Sequence, residues 1–193
     1  ADEMQHQIIV NIRLPRILSA ILAGTALAVS GAAMQTILRN PLGSPFTLGI
    51  SNAAAFGAAF AVIVFSAGTS QSGNTETVLL NNPYSVTLSA FLWSMISTLI
   101  ILLLARFKGA TPEVMILTGI ILGSLFSAGI TALQYFADDI EISSIVFWTF
   151  GDIGRSSWKD FIILLGVVLI AMAIFMRNRW NYNALDAGDE MAR

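Results

Sequence analysis

Cysteine is absent from these 193 residues, and histidine occurs once, at His6. Disulfides and thiolate metal sites are therefore excluded, while redox compartment stays undetermined. His6 lies outside every apolar stretch and is not expected to hold a metal. Charge is also scarce, at 11% of residues, where an ordinary soluble domain has about 25%. With a net charge of −2 and no basic cluster, the chain offers nothing for nucleic acid to bind. It lacks a Gly-rich G-x-x-x-x-G-K motif, so it is not expected to hydrolyse ATP itself. No cleavable signal is visible in Ala1–Asn11, which is polar and carries Asp2 and Glu3 in place of a basic start. Both ends look like the inside of a longer protein.

What the chain does have is length without charge. Ile17–Leu38 holds 22 uncharged residues, Pro41–Thr75 holds 35, Thr77–Ala105 holds 29, Val114–Ala137 holds 24 and Phe161–Met176 holds 16. Hydrophobic residues make up 55%, and mean hydropathy is +0.74. At 1.5 Å per residue, about 20 apolar residues cross a hydrocarbon layer of roughly 30 Å. Four runs are long enough, and the fifth becomes so with Trp158 and Trp180 as interfacial flanks. The fold class expected is all-α: a polytopic integral membrane helix bundle, with spans near 16–38, 46–65, 86–105, 114–137 and 160–177.

The punctuation agrees with that division. Pro15 suits the first turn of a helix, where its missing N–H costs nothing, so the first span is expected to start abruptly at Arg13-Leu-Pro-Arg16. Ala20, Gly24 and Ala28 then form a small-residue stripe of the kind that lets helices approach closely in lipid; this helix is expected to pack among others. Arg39-Asn-Pro-Leu-Gly-Ser-Pro45 cannot continue a regular helix. Pro112 and Glu113 make a good helix start. Ile142–Gly151 is apolar but too short to span, and predicts a re-entrant or interfacial helix. Near the end, Asp186 suits an N-cap with Asp189 and Glu190 in the first turn, which favours a short surface helix over 184–193; a solvated tail is the alternative. Arg39, Arg106, Lys108, Arg177, Arg179 and Arg193 fall on one side of five spans, and Arg13, Arg16, Arg155 and Lys159 on the other. That excess mildly favours the first side as cytoplasmic.

No span carries an ionisable residue in its interior. Proton-coupled transport relies on such groups, and hydrolysis needs a base, a metal ligand or an activated nucleophile. Thr118, Ser124, Ser127, Thr131 and Gln134 form a polar stripe on the fourth span. They serve either as helix–helix hydrogen-bonding groups or as the wall of a passage for a bulky polar solute. Asp138, Asp139 and Glu141 are the one interfacial acidic cluster, without a basic or metal-binding partner. A membrane enzyme acting on lipid or peptide is the rival reading, and a non-catalytic scaffold subunit a third. Arg13 and Arg16 either snorkel to headgroups or dock carboxylates of a partner, since cations at a helix N-terminus oppose the macrodipole.

In order along the chain, Arg13-Leu-Pro-Arg16, Gly24-x-x-Leu27-Ala-Val-Ser-Gly31-Ala-x-Met34-Gln35, Arg39-Asn-Pro-Leu-Gly-Ser-Pro45-x-x-Leu48-Gly-Ile-Ser51-Asn and Ala184-Leu-x-x-Gly188-Asp-Glu-x-Ala192 resemble the FecCD-type permeases. These are the membrane subunits of ABC importers for iron–siderophore complexes, haem and cobalamin. The resemblance implies a multi-pass protein of the cytoplasmic membrane that is not an enzyme and needs no cofactor. Its implied partners are a separate ABC ATPase, an extracytoplasmic substrate-binding protein, a second permease copy and lipid. It implies that Arg13 and Arg16 dock the binding protein, and that Asn40, Leu42, Thr111 and Pro112 form the cytoplasmic gate. Ser124, Ser127, Thr131 and Gln134 are then expected on the translocation path, and Leu185, Gly188, Asp189, Glu190 and Ala192 in a partial coupling helix. Family members have about ten spans, so the first helix and the C-terminal half are expected to lie outside this chain.

Overall fold

The computed structural model describes residues 2–65, 83–108, 111–151 and 153–187. All the regular structure among them is helical. The chain divides into two compact units, one formed by Leu42–Gly151 and one by the flanking segments Ala1–Pro41 and Asp152–Arg193.

The flanking unit begins with α1 (Asp2–Ile8), which runs through a π-helical turn (Ile9–Arg13) into α2 (Leu14–Leu38). This corrects the expected abrupt start at Arg13. Pro15 lies in the first turn of α2, as expected, but that turn continues an existing helix, so the proline also removes a backbone donor and crowds the turn before it. The wider π turn immediately before it, closed by the Leu14 N–H on the Ile9 carbonyl, accommodates the ring. Arg13 and Arg16 are therefore not at a helix N-terminus, and the expected conflict with the macrodipole falls away. α2 ends at Arg39, which adopts a left-handed conformation (φ 46°), with the Asn40 N–H reaching back to the Gln35 carbonyl at 3.1 Å. That six-to-one bond terminates the helix as a left-handed glycine commonly does. The Gln35 amide also donates to the Pro41 carbonyl at 3.0 Å.

A short 3-10 turn (Ile153–Arg155) precedes α7 (Trp158–Arg177). Ser157 and Asp160 form a capping box at the start of α7, satisfying two of its orphan N–H groups. α8 (Arg179–Ala187) follows directly, with the Arg179 guanidinium 5.4 Å from the Trp180 ring centroid. Because α8 already runs through Asp186, this residue does not start a new helix, contrary to its expected N-cap role. Residues 188–193 of the expected coupling segment lie outside the described residues. Ala20, Gly24 and Ala28 are exposed, and a methyl group added at Gly24 or Gly31 would meet nothing within 4 Å. The small-residue stripe of α2 is thus uncovered by the described residues of its own unit, against the expectation of close packing.

The central unit is built around α3 (Ile50–Val64), against which α4 (Pro83–Lys108), α5 (Pro112–Phe136) and α6 (Asp139–Phe150) pack. The apolar run expected to span from 46 to 65 is shorter than that. Ser44–Gly49 forms a separate turn in which the Ile50 N–H bonds to the Pro45 carbonyl, and Gly49 takes a left-handed φ of 66°. Helix α3 starts only after that break. Its 15 residues cover about 22 Å, less than the hydrocarbon thickness. Ala53, Ala55, Ala58, Ala59, Ala61 and Val62 are buried in it, so α3 is a core helix flanked by the longer α4 and α5 and by the short α6. The small side chains allow close contact: the Ser89 hydroxyl of α4 donates to the Gly57 carbonyl at 2.6 Å. Phe56 of α3 meets Trp93 and Phe126, and Phe60 meets Trp93, edge-on or tilted at 4.8–5.8 Å, a geometry that adds to area burial.

Helices Glu3–Leu38, Tyr84–Phe107, Pro112–Phe136 and Trp158–Arg177 are each long and apolar enough to cross a membrane. Leu88, Phe91, Leu99, Leu125, Ile162 and Ile170 on them are exposed, and large apolar patches on this scale require lipid or protein around them. Of the expected short segment Ile142–Gly151, all but the C-cap Gly151 belongs to α6, a 12-residue helix that packs on α3 and is too short to cross.

Candidate functional site

In the central unit, the turn that leads into α3 crosses α5 almost backbone to backbone. A methyl group on Gly119 would lie 2.6 Å from the Leu48 Cα, and one on Gly49 would lie 2.8 Å from the Gly123 nitrogen. The Asn52 side-chain amide bridges the crossing, donating to the Gly123 carbonyl at 3.1 Å. Beside it opens a cleft of about 440 Å³ lined by Phe46, Thr47, Gly49, Asn52, Gly119, Ile120, Gly123, Ser124 and Ser127. Its polar groups are two amide or hydroxyl side chains from the α3 side and two serines from α5; none is ionisable. Thr47 is held by its own turn, donating to the Ser44 carbonyl at 2.9 Å. The Ser124 hydroxyl donates to the Ile120 carbonyl one turn back, at 3.0 Å.

Of the four residues expected on a path, Ser124 and Ser127 line this cleft. Thr131 and Gln134 lie farther along α5, outside its lining. Thr131 donates to the Ser127 carbonyl at 3.2 Å, and Gln134 is half-buried. Thr47 and Asn52 complete the lining and were not among the candidates. Their signal was present in the sequence: Gly119-x-x-x-Gly123 is a close-packing spacing, and the carbonyls it brings near can be reached by the asparagine three residues after Gly49.

The remaining candidates fall on several elements of the two units. Arg13 lies in the π turn and Arg16 in the first turn of α2, both exposed. Asn40 follows α2 in the flanking unit, whereas Leu42, Thr111 and Pro112 belong to the central unit. Leu42 is 76% exposed. Thr111 is the N-cap of α5 and accepts from the Val114 N–H, with Pro112 in the first turn. Leu185 is half-buried on α8. Gly188, Asp189, Glu190 and Ala192 lie outside the described residues. The acidic cluster that a membrane enzyme would have used is committed to structure: Asp138 and Glu141 form the capping box of α6, with bonds of 2.7 and 3.1 Å.

Four helices long and apolar enough to cross a membrane, with a cleft of hydroxyl and amide groups beside Asn52, make this a helical, multi-pass membrane protein. The comparisons with known proteins give the family. Its model, described as the FecCD transport family, matches residues 1–193, and the chain belongs to that family. A protein of Methanocaldococcus jannaschii named as an ABC transporter permease is 53% identical over 186 residues, covering 96% of this chain and 53% of the relative. The molybdate import system permease protein MolB of Haemophilus influenzae is 34% identical over 194 residues, covering 100% of this chain and 53% of MolB. Other relatives are named for iron chelatin transport, vitamin B12 import and hemin transport. A solved metal-chelate type ABC transporter in an inward-facing conformation superposes with a TM-score of 0.83 at 31% identity, covering 100% of this chain and 57% of that one. The chain spans about half the length of the curated relatives it matches. They are named as permeases, not as enzymes.

Proposed function

We propose that this chain is the membrane-spanning part of an ABC importer permease that passes an iron–siderophore complex, or haem or cobalamin, across the cytoplasmic membrane. A separate ATPase subunit would power it, an extracytoplasmic binding protein would deliver the solute, and a second permease copy would complete the passage. In this reading Ser124, Ser127, Thr131 and Gln134 face the path, and Asn40, Leu42, Thr111 and Pro112 contribute to the cytoplasmic gate. Arg13 and Arg16 dock the binding protein, while Leu185, Gly188, Asp189, Glu190 and Ala192 couple to the ATPase.

The observation that carries the proposal is the cleft beside Asn52. Its lining offers hydroxyl and amide groups on apolar walls and no charge. A solute whose metal charge is already enclosed by its own ligands needs no counter-charge there. A bare oxyanion would lose its hydration to a wall without a cation, at considerable cost. This favours a chelate over an oxyanion such as molybdate.

Cysteine accessibility tests the path directly, because the chain has no cysteine of its own. In the complete transporter, single cysteines at Ser127 and Thr131 are expected to react with a membrane-impermeant thiol reagent in at least one nucleotide state. A cysteine at the exposed apolar position Leu125 serves as the unreactive reference. Equal, nucleotide-independent inertness at Ser127 and Thr131 refutes the path assignment.

A further inference from the structure

The π turn and Pro15 leave one carbonyl without a backbone donor, and a different helix supplies the replacement. In the π turn, the Leu14 N–H bonds to the carbonyl five residues earlier, at Ile9. The next bond in that register would run from residue 15 to the Val10 carbonyl. Residue 15 is proline and has no N–H. The Trp158 indole nitrogen donates to that same Val10 carbonyl at 3.1 Å, across 148 residues of sequence. Pro15 is fully buried, and Val10 and Trp158 are half-buried, so bulk water is a poor substitute donor. Trp158 is itself the first residue of α7, held in place by the Ser157–Asp160 capping box. Its indole N–H therefore projects from a fixed point.

We infer that Trp158 is a positioning residue for the docking arginines: it completes the hydrogen bonding of the π turn and so fixes the register in which Arg13 stands relative to Arg16. A π turn has a wider, slower pitch than an α turn. If it relaxes to α geometry, Arg13 rotates about the helix axis relative to Arg16. The pair then no longer presents the same spacing to two carboxylates. This inference rests on the docking role proposed for Arg13 and Arg16.

The test uses the complete transporter with its ATPase in lipid nanodiscs. Trp158 is replaced by 3-benzothienylalanine, which keeps the bicyclic shape but lacks the N–H, and separately by phenylalanine. Hydrogen exchange is followed at the amides of residues 10–14, and affinity for the binding protein is measured at two salt concentrations. Losing one buried hydrogen bond is expected to speed exchange at those amides by about tenfold and to weaken docking by about three- to tenfold. Adding Pro15→Ala to W158F restores a backbone donor in the same register. Both effects should then shrink, so that the double variant is less impaired than W158F alone. Unchanged exchange in the benzothienylalanine protein overturns the inference, and so does simple additivity of P15A and W158F. Faster exchange with unchanged docking also overturns it, provided that Arg13→Glu with Arg16→Glu still weakens docking. If that charge reversal has no effect, the docking role itself has failed, and the positioning role falls with it.

Discussion

Replacing Gly119 with alanine probes whether the α3–α5 crossing, and the cleft it frames, depends on backbone contact. The new methyl group would lie 2.6, 2.9 and 3.0 Å from the Cα, carbonyl carbon and carbonyl oxygen of Leu48. All three are backbone atoms in a turn locked by its own hydrogen bonds, so no side chain can rotate out of the way. Relief to ordinary contact requires α5 to withdraw by nearly 1 Å. Overpacking of this kind costs about 1–3 kcal/mol, offset by up to about 1 kcal/mol from the better helix propensity of alanine. Gly123→Ala should be milder. Its methyl group meets the Asn52 amide nitrogen at 3.1 Å and the Gly49 Cα at 3.3 Å; the amide can turn aside for the loss of one interhelical bond, worth about 0.6–1.7 kcal/mol in lipid, and the backbone contact is far looser than the one at Gly119. Gly166 on α7 is the control, since a methyl group there meets nothing within 4 Å. Reversible unfolding of the complete permease in mixed micelles should give G119A as the least stable, G123A intermediate and G166A equal to or above the parent. Uptake should fall in the same order. If G119A matched G166A in stability, the crossing would not be the tight contact argued for, and the cleft would lose its frame.

Two further outcomes bear on the partners. Reversing Arg13 and Arg16 to glutamate should weaken binding-protein docking, with the largest difference at low salt where exposed charges are least screened; titration by fluorescence anisotropy checks this, and salt-independent affinity refutes it. Replacing Asp189 and Glu190 with lysine should leave ATP turnover intact but detach it from uptake in proteoliposomes, and preserved coupling would reduce that segment to a tail.

Where a boundary is set by an element's own residues, the sequence revealed it. Pro112 and Glu113 mark the start of α5, and the charges around Arg177 mark the end of α7, because proline geometry and dipole chemistry act locally. The misread elements are those whose fate is decided by a neighbour. Pro15 does sit in the first turn of α2, but the helix that precedes it, and the bond that Trp158 donates to Val10 from far along the chain, cannot be read from the proline. The run from 46 to 65 looks like a span because apolar periodicity cannot distinguish a helix facing lipid from one facing other helices. Gly49 breaks it by a left-handed turn that the glycine permits but does not announce. Within the site, the stripe on α5 was visible as a stripe. The partners that turn part of it into a cleft wall, Thr47 and Asn52, come from a segment about 70 residues earlier.

The hydroxyls of that wall carry a further consequence for the proposed transport. Ser124 already donates to a carbonyl of its own helix and Thr47 to one of its own turn, and Asn52 donates to the Gly123 carbonyl. What such groups offer a passing solute is mostly unused acceptor capacity, and a hydrogen bond exchanged against water contributes only about 1 kcal/mol net. A wall of this kind binds weakly. Weak binding suits a passage, because a solute held tightly in one state must be released from it at equal cost in the next. Affinity and selection would then belong to the binding protein, and the driving force to the ATPase. Added charge should expose the difference. A carboxylate introduced by Ser127→Asp would trap a cationic solute or repel an anionic one, slowing uptake in proteoliposomes while leaving binding-protein affinity as it was. Uptake unaffected by that charge would mean that the solute does not pass Ser127.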